Sequence, residues 1–318
     1  MTAPRLTIGL PVYNGEEYLA EALDSLLGQT YEDFELIVSD NDSTDATAEI
    51  CQDYAATDRR VRYLRQRRNI GCAGNHNVVF ERARGELFKW ASDDDLYGRD
   101  LLRRCIEVLD ENPHVVAVHS WTATIEGQTG ELARGLDYPL ATSSEHAPER
   151  FRSMLFDDGG DDDYAVIRSD VLRRIPLYGS HYRADRTLPA ELSLYGPFLQ
   201  VPEYLYFRRH HAGAAVREYA SIRRFCVNYD PRRANRLLHP VPRLVVEYPL
   251  NYLSAIRRAP LSTADKRECF GHLARWMADR ALPRGPRLVD IGPVRRADPN
   301  QDLVPISELV AGRADSTP

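Results

Sequence analysis

No two cysteines in this chain stand at the C-x-x-C spacing of a zinc site or redox motif, and their total of five is odd. A disulfide framework and a structural zinc site are therefore both excluded as organising devices. Cys51, Cys72, Cys105, Cys226 and Cys269 lie far apart, which fits a reducing cytoplasm. Also missing is any run near the roughly 20 apolar residues that a bilayer span requires. The apolar start "RLTIGL" meets Pro11 and then polar residues, so neither signal peptide nor anchor is expected. Basic excess is absent too. Lys+Arg 41 against Asp+Glu 47 gives a formal net charge of −6, which argues against a general nucleic-acid binder. An anionic ligand would need local arginines or a metal ion. The acidic run "DDGGDDD" at 157–163 lacks the spaced glutamate of a calcium loop and reads as a mobile, solvated loop. There is no internal repeat.

What the chain does have is enough apolar residue, 43% of 318, to build a sizeable core. Over the first 125 residues short apolar runs alternate with amphipathic segments, the pattern of a mostly parallel sheet covered by helices. "RLTIGLPVYN", "FELIVSD", "VRYLR", "GELFKWAS" and "HVVAVHSWTATI" read as strands. Leu19, Leu23, Leu26 and Leu27 share one helical face, as do Leu101, Leu102, Cys105, Ile106 and Leu109. "TDATAEICQDYAA" and "AGNHNVVFERAR" complete the alternation, with Ser43 or Thr44 as cap of the former and Gly71 opening the latter. Further on, "VPEYLYFRR" is expected as a strand. "YASIRRFCVNYDPRRANRLL", "RLVVEYPLNYLSAIRRA" and "TADKRECFGHLARWMADRAL" are expected as helices.

Ligands of open α/β sheets bind at the carboxyl ends of the strands. Those ends are Pro11 to Asn14, Asp40 to Asp45, Arg65 to Asn69 and Ser92 to Asp95, all polar or acidic. Three adjacent carboxylates, Asp93, Asp94 and Asp95, repel one another unless solvent, hydrogen bonds or a cation compensates them. Read blandly, they are a solvated turn before a helix. Read chemically, they are half of a site for a hard divalent cation.

The segments "TIGLPVYNGEEYLAEALDSLLGQT", "IVSDNDSTDAT" and "RNIGCAGNHNVVFERARGELFKWASDDDLY" resemble, in order and spacing, the nucleotide-sugar half of family-two GT-A glycosyltransferases. The resemblance is close over residues 5–122 and weaker to about 212. It implies an α/β, Rossmann-like GT-A sheet flanked by helices, with a C-terminal helical extension. The expected division is a catalytic domain over 1–215 (1–122 for nucleotide-sugar, 123–215 for acceptor and catalysis), a helical extension over 216–285 and a poorly ordered tail over 286–318. The implied reaction is a metal-dependent, inverting transfer of a hexosyl or N-acetylhexosaminyl group. The donor would be a nucleotide diphosphate, UDP favoured as the family's commonest case, and the acceptor a small-molecule or carrier-linked hydroxyl or amine.

The resemblance carries over residue by residue. Pro11, Val12, Tyr13, Asn14, Asp40, Asn41, Asp42, Arg68, Asn69, Asn75, Asp93 and Asp94 are the expected nucleotide-sugar contacts. Asp93 and Asp95, with His210 or His211 from "FRRHHAGAAVRE", are the expected ligands of Mg²⁺ or Mn²⁺. Arg67 reads equally well as part of a solvated basic loop. The register of the acidic motif departs from the family, with Ser92 where an Asp often stands. For the base that takes the acceptor proton, "HYRADRTLPAELSLYG" offers Asp185, and Glu191 beside it; the family's Glu-Asp pair is absent.

Two other classes compete with this reading. A sugar nucleotidyltransferase predicts a Gly- and Arg-rich loop with a Lys after the first strand, which "PVYNGEEY" lacks. A non-catalytic nucleotide-sugar or glycan-binding module would bind nucleotide without turnover. The aromatic, arginine-rich helices after 215 suit an acceptor, a second subunit in a homodimer or an anionic membrane surface.

Overall fold

The computed structural model describes residues 3–127, 131–136, 141–157, 164–211 and 221–281. The acidic loop at 158–163 and the tail at 286–318 lie outside them.

The chain opens with β1 (Leu6–Val12), α1 (Leu19–Leu27), β2 (Phe34–Asp40), α2 (Thr47–Thr57), β3 (Val61–Arg65), α3 (Cys72–Glu81) and β4 (Leu87–Trp90). Every residue of β1, β2 and β4 is buried, as expected of strands covered on both faces. Next come β5 (Leu96–Tyr97), α4 (Leu101–Glu111), β6 (Ala117–Glu126), β7 (Glu131–Leu136), α5 (Ala147–Phe156), β8 (Val166–Arg168), α6 (Ser169–Leu172), α7 (Ala184–Leu192) and β9 (Phe198–His210). The described residues form one nine-stranded sheet in the order β3-β2-β1-β4-β8-β6-β9-β5, with β7 beside β6. β3, β2, β1 and β4 run parallel. β8 is antiparallel to both β4 and β6, so β6 and its parallel neighbour β9 share the direction of β1. The carboxyl ends of these strands consequently gather at one edge.

The leucine stripes fall where their spacing placed them. Leu19, Leu23 and Leu26 of α1 and Leu101, Leu102, Ile106 and Leu109 of α4 fill the core on one face of the sheet. The other face is filled by Val79, Phe80, Phe88, Trp90, Phe151 and Leu188. Three more helices, α8 (Ile222–Tyr229), α9 (Val241–Arg258) and α10 (Thr263–Ala281), join this second core through Tyr229, Tyr252, Ile256 and Trp276. Tyr252 meets Phe151 edge to face, with ring centroids 5.9 Å apart. Burial of each such large side chain contributes about 2–3 kcal/mol, so the helical extension shares the core of the sheet domain.

Two local expectations are corrected. The helix expected over 219–238 stops at Tyr229, because Pro231 cannot supply the next backbone donor; a 3₁₀ turn over Pro231–Ala234 follows. Neither Ser43 nor Thr44 caps α2. Ala46 precedes that helix, the Asp45 carboxylate accepts from Thr47 N–H at 3.1 Å, and the Ser43 hydroxyl accepts from Asn14 N–H at 2.9 Å.

Candidate active site

A cleft of about 500 Å³ opens at the carboxyl edge of the sheet, within the size range of small-molecule sites. Its walls include Pro11, Val12, Tyr13, Asn14, Asn41, Asn69, Asn75, Asp93 and Asp94. Nine of the twelve expected nucleotide-sugar residues are thus brought together. Asn14 sits at φ 53, a left-handed conformation that Asn tolerates better than most residues; its side-chain oxygen accepts from Thr44 N–H at 2.9 Å. Asn41 donates to Asn69 at 3.2 Å and accepts from Ile70 N–H at 2.8 Å. Asn75 donates to the Ser39 carbonyl at 2.7 Å and accepts from the Ser39 hydroxyl at 2.7 Å. These bonds lace the first, second and third loops into one rim.

The other three expected contacts lie elsewhere. Asp40 is fully buried, with its oxygens accepting from Ser43 N–H and the Tyr63 hydroxyl. It shapes the turn from within and does not line the cleft. Asp42, at φ 66, and the exposed Arg68 are also outside the walls. Arg67 is exposed on the same loop.

The acidic run divides by residue. Asp93 and Asp94 line the cleft. Burial, then the charge of Asp94, raises the Asp93 carboxyl well above the usual range. The Asp94 carboxylate accepts from the Ser92 hydroxyl and lies 3.0 Å from His211 Nε2. His211 in turn packs edge-on against Tyr18, centroids 4.9 Å apart. Asp95 is only 4% exposed, and its two oxygens accept from the Tyr206 hydroxyl and from Arg209 N–H at 2.8 Å. The expected metal ligand is thus a latch between the acidic loop and β9, with its carboxyl pushed up to about 8 by burial and then by Asp94. His210, the alternative to His211, is exposed at the end of β9 and absent from the cleft walls. The two-residue period of a strand sends neighbours to opposite faces, so only one of the pair can meet the acidic loop.

The two candidate bases also part. Glu191 is buried and held bidentate by Arg258 of α9 at 2.8 and 3.0 Å, which makes it a strut between α7 and the helical extension. Asp185 is in the first turn of the same helix but does not line the cleft. Its Oδ1 is buried without a hydrogen-bond partner among the described residues, and burial raises its carboxyl. Arg183 just before it holds φ 58, a strained backbone for a long side chain.

The structure adds residues that spacing did not single out. Arg209 is buried, donates to the Asp94 carbonyl at 2.8 Å and to Glu21 at 2.7 Å, and covers the Tyr18 ring at 4.4 Å. His76 lines the cleft with its basicity pushed down to about 4 by burial, while Nδ1 lies 2.9 Å from the Cys72 carbonyl. Asn228 of α8 completes the wall. Only the glycine before α3 hinted at that last contact. Gly71, at φ 84, approaches the Tyr229 carbonyl so closely that a Cβ would strike it.

Comparison with known proteins agrees with this architecture. The family model described as Glycosyl transferase family 2 matches residues 7–173. GlyA, a glycosyltransferase of Streptococcus pneumoniae, is 31% identical over 124 residues, 39% of this chain and 18% of that protein. An uncharacterised glycosyltransferase of Haemophilus influenzae is 24% identical over 221 residues, 65% of this chain and 66% of that protein. The chain therefore spans less than two thirds of the length of these curated relatives. Among solved structures, S. aureus TarS 1–349 in complex with UDP-GlcNAc superposes with a TM-score of 0.56 at 16% identity, covering 87% of this chain and 91% of that one. The mannosyltransferase PcManGT from Pyrobaculum calidifontis, in complex with GDP-Man and Mn²⁺, gives 0.52 at 17% identity, covering 90% and 77%. At such identities the likeness is one of fold, a GT-A sheet with a helical C-terminal extension. With more than half of its length matched by the family model, the chain belongs to glycosyl transferase family 2.

Proposed function

We propose that this protein is a metal-dependent, inverting glycosyltransferase. It moves a hexosyl or N-acetylhexosaminyl group from a nucleoside diphosphate, UDP by preference, to a hydroxyl or amine of a small-molecule or carrier-linked acceptor. The observation that carries this reading is the meeting of Asp93, Asp94 and His211 with the strand-end asparagines in one cleft. Asn14, Asn41 and Asn69 supply amide donors and acceptors for base and ribose. The nucleotide sugars bound to the two structural neighbours support the donor class.

Among the described residues no three His, Cys, Asp or Glu side chains form a ready metal cage. Mg²⁺ and Mn²⁺ sites on phosphate substrates need only one or two protein carboxylates, the remainder coming from phosphate and water. Asp93 and Asp94, with His211 beside them, fit that partial set and would hold the cation. When bound, it neutralises charge on the departing diphosphate. Asp185 is the proposed base. A carboxyl raised by burial, with Oδ1 left without a hydrogen-bond partner, is suited to take a proton from the acceptor as its oxygen or nitrogen attacks the anomeric carbon and the diphosphate departs. Five free thiols support a reducing cytoplasm, and no helix among the described residues is long and apolar enough to cross a membrane.

The test is calorimetric titration of UDP, dTDP and GDP, each with and without Mn²⁺. Tight binding of one nucleotide only with metal is expected, and no binding by any of the three would overturn the reading. The same titration carries two further predictions. A Cβ at Gly15 would meet both the Asp93 carboxylate and the Val12 side chain, so Gly15→Ala should weaken metal-dependent binding by about tenfold; unaltered affinity would separate Asp93 from the site. The second concerns pH. A carboxyl raised in the free protein must release its proton before a cation can bind, so affinity rises with pH. With Asp93 raised, Mn²⁺-dependent affinity should climb by up to about tenfold per pH unit above the ordinary carboxylate range and then level off. Flat affinity there would mean that Asp93 is already ionised.

A further inference from the structure

Apolar side chains that a protein leaves in water cluster where something covers them. Six of the eight large hydrophobics exposed among the described residues fall between 237 and 250: Leu237, Leu238, Val241, Val245, Val246 and Leu250. Leu237 is 93% exposed and Leu238 61%. They occupy the turn after the 3₁₀ segment and the first turns of α9.

Charge distinguishes the possible occupants. The chain as a whole is at −6, yet from 222 to 250 the six arginines 223, 224, 232, 233, 236 and 243 face only two acids, Asp230 and Glu247. Both acids are committed, Asp230 to Arg232 at 2.9 Å and Glu247 to Arg233 and Arg243 at 2.6 and 2.8 Å. Arg224, Arg232, Arg236 and Arg243 are exposed on the same stretch of chain as the leucines and valines. A second copy docked on this face by two-fold symmetry would set like charges against each other. An anionic bilayer offers acyl chains for the apolar residues and phosphate for the guanidinium groups together.

We propose that the surface formed by residues 224–245 docks on an anionic lipid surface. The segment that carries it also builds the cleft. Asn228 lines the cleft wall, Tyr229 packs against Gly71 at the start of α3, and the patch follows within a few residues. Docking therefore holds the cleft close to the membrane plane, which, on the transferase reading above, favours an acceptor carried on a lipid. The docking itself rests on the surface residues and stands apart from that reading.

The test is co-sedimentation of the full chain with vesicles of phosphatidylcholine containing about 30% phosphatidylglycerol, against phosphatidylcholine alone, at low and high salt. Partition should be at least about tenfold greater on the anionic vesicles and fall steeply with added salt, since the attraction is screened within about 10 Å at 0.1 M ionic strength. Leu237→Ser with Leu238→Ser, and separately Arg224→Glu with Arg236→Glu, should each lower partition by at least about tenfold. Metal-dependent nucleotide binding by calorimetry should be unchanged in both, since none of the four side chains lines the cleft. Equal partition on both vesicle types, or none on either, overturns the proposal. So does a concentration-dependent dimer in analytical ultracentrifugation that the leucine variant dissociates, because the occupant is then a second copy. Loss of nucleotide binding in the parent protein would defeat the transferase reading without touching the vesicle result.

Discussion

Asp93→Asn is expected to lower sugar transfer by about 10³-fold, an effect of the size seen when a group that stabilises developing charge is removed. The substitution keeps the volume of the side chain and removes the charge that pairs with a cation. Asp93 lines the cleft, and burial with the neighbouring Asp94 keeps its carboxyl raised while no cation offsets the charge. Deleting that charge should therefore leave the fold intact, or even relieve local repulsion. The measurement is steady-state turnover of the donor selected by nucleotide titration, with a thermal melt alongside. Unchanged turnover in a stable protein would remove Asp93 from the chemistry. The matching control is Asp95→Asn. With both oxygens bonded to Tyr206 and Arg209, Asp95 acts on how the acidic loop is held. Its loss should move the melting temperature along with activity, whereas Asp93→Asn should move activity alone. Were Asp95→Asn to abolish metal-dependent binding with the melt unmoved, the ligand role would pass back to Asp95.

Arg258→Ala should cost about 3 kcal/mol of stability, because it leaves the Glu191 carboxylate buried without its partner. For a chain of this length that corresponds to a drop in melting temperature of about 4–5 °C. Burial alone raises the Glu191 carboxyl, and the bidentate guanidinium is what opposes it. Replacing both partners by apolar residues of similar size, Glu191→Leu with Arg258→Met, should restore most of the loss, since the desolvation of two charges is then removed as well. Glu191→Gln should retain transfer. If instead it abolished transfer in a protein that melts normally, Glu191 would take the role of base from Asp185.

These expectations show which parts of the site could be read before the fold was known. The strand ends that converge on the cleft were legible because a parallel sheet places every carboxyl end at one edge, so order along the chain translates into position. The segments Pro11 to Asn14, Asp40 to Asp45, Arg65 to Asn69 and Ser92 to Asp95 follow from that rule, and the family resemblance picked Asn41, Asn69, Asp93 and Asp94 within them. Asp40 was misplaced because the alternation that puts one side chain of a strand end in the cleft puts its neighbour in the core, and register at a strand end cannot be counted from composition. Glu191 was ambiguous for a related reason: nothing near it in the chain announces Arg258, which arrives from the helical extension 67 residues later. Arg209 escaped notice because its partners also lie on other elements, and Asn228 because the cleft it lines is built by segments far from it in the chain.

The sequence by itself determined the class of the fold, the alternation of strands and helices, the amphipathic faces and the acidic, asparagine-rich edge where the cleft opens. Those properties are local, set by periodicity, by turn residues and by the ends of strands. Only the tertiary structure decided which carboxylate of the acidic run faces the cleft and which is a latch, which of two adjacent histidines meets it, and which of two acids on α7 is already paired. It alone decided that Leu237 and its neighbours stand in water. Each of these depends on which group a distant segment presents at a few ångströms. In a folded interior that partner settles whether a charge is free for chemistry, because a buried carboxylate that has found a guanidinium or a hydroxyl is held by it.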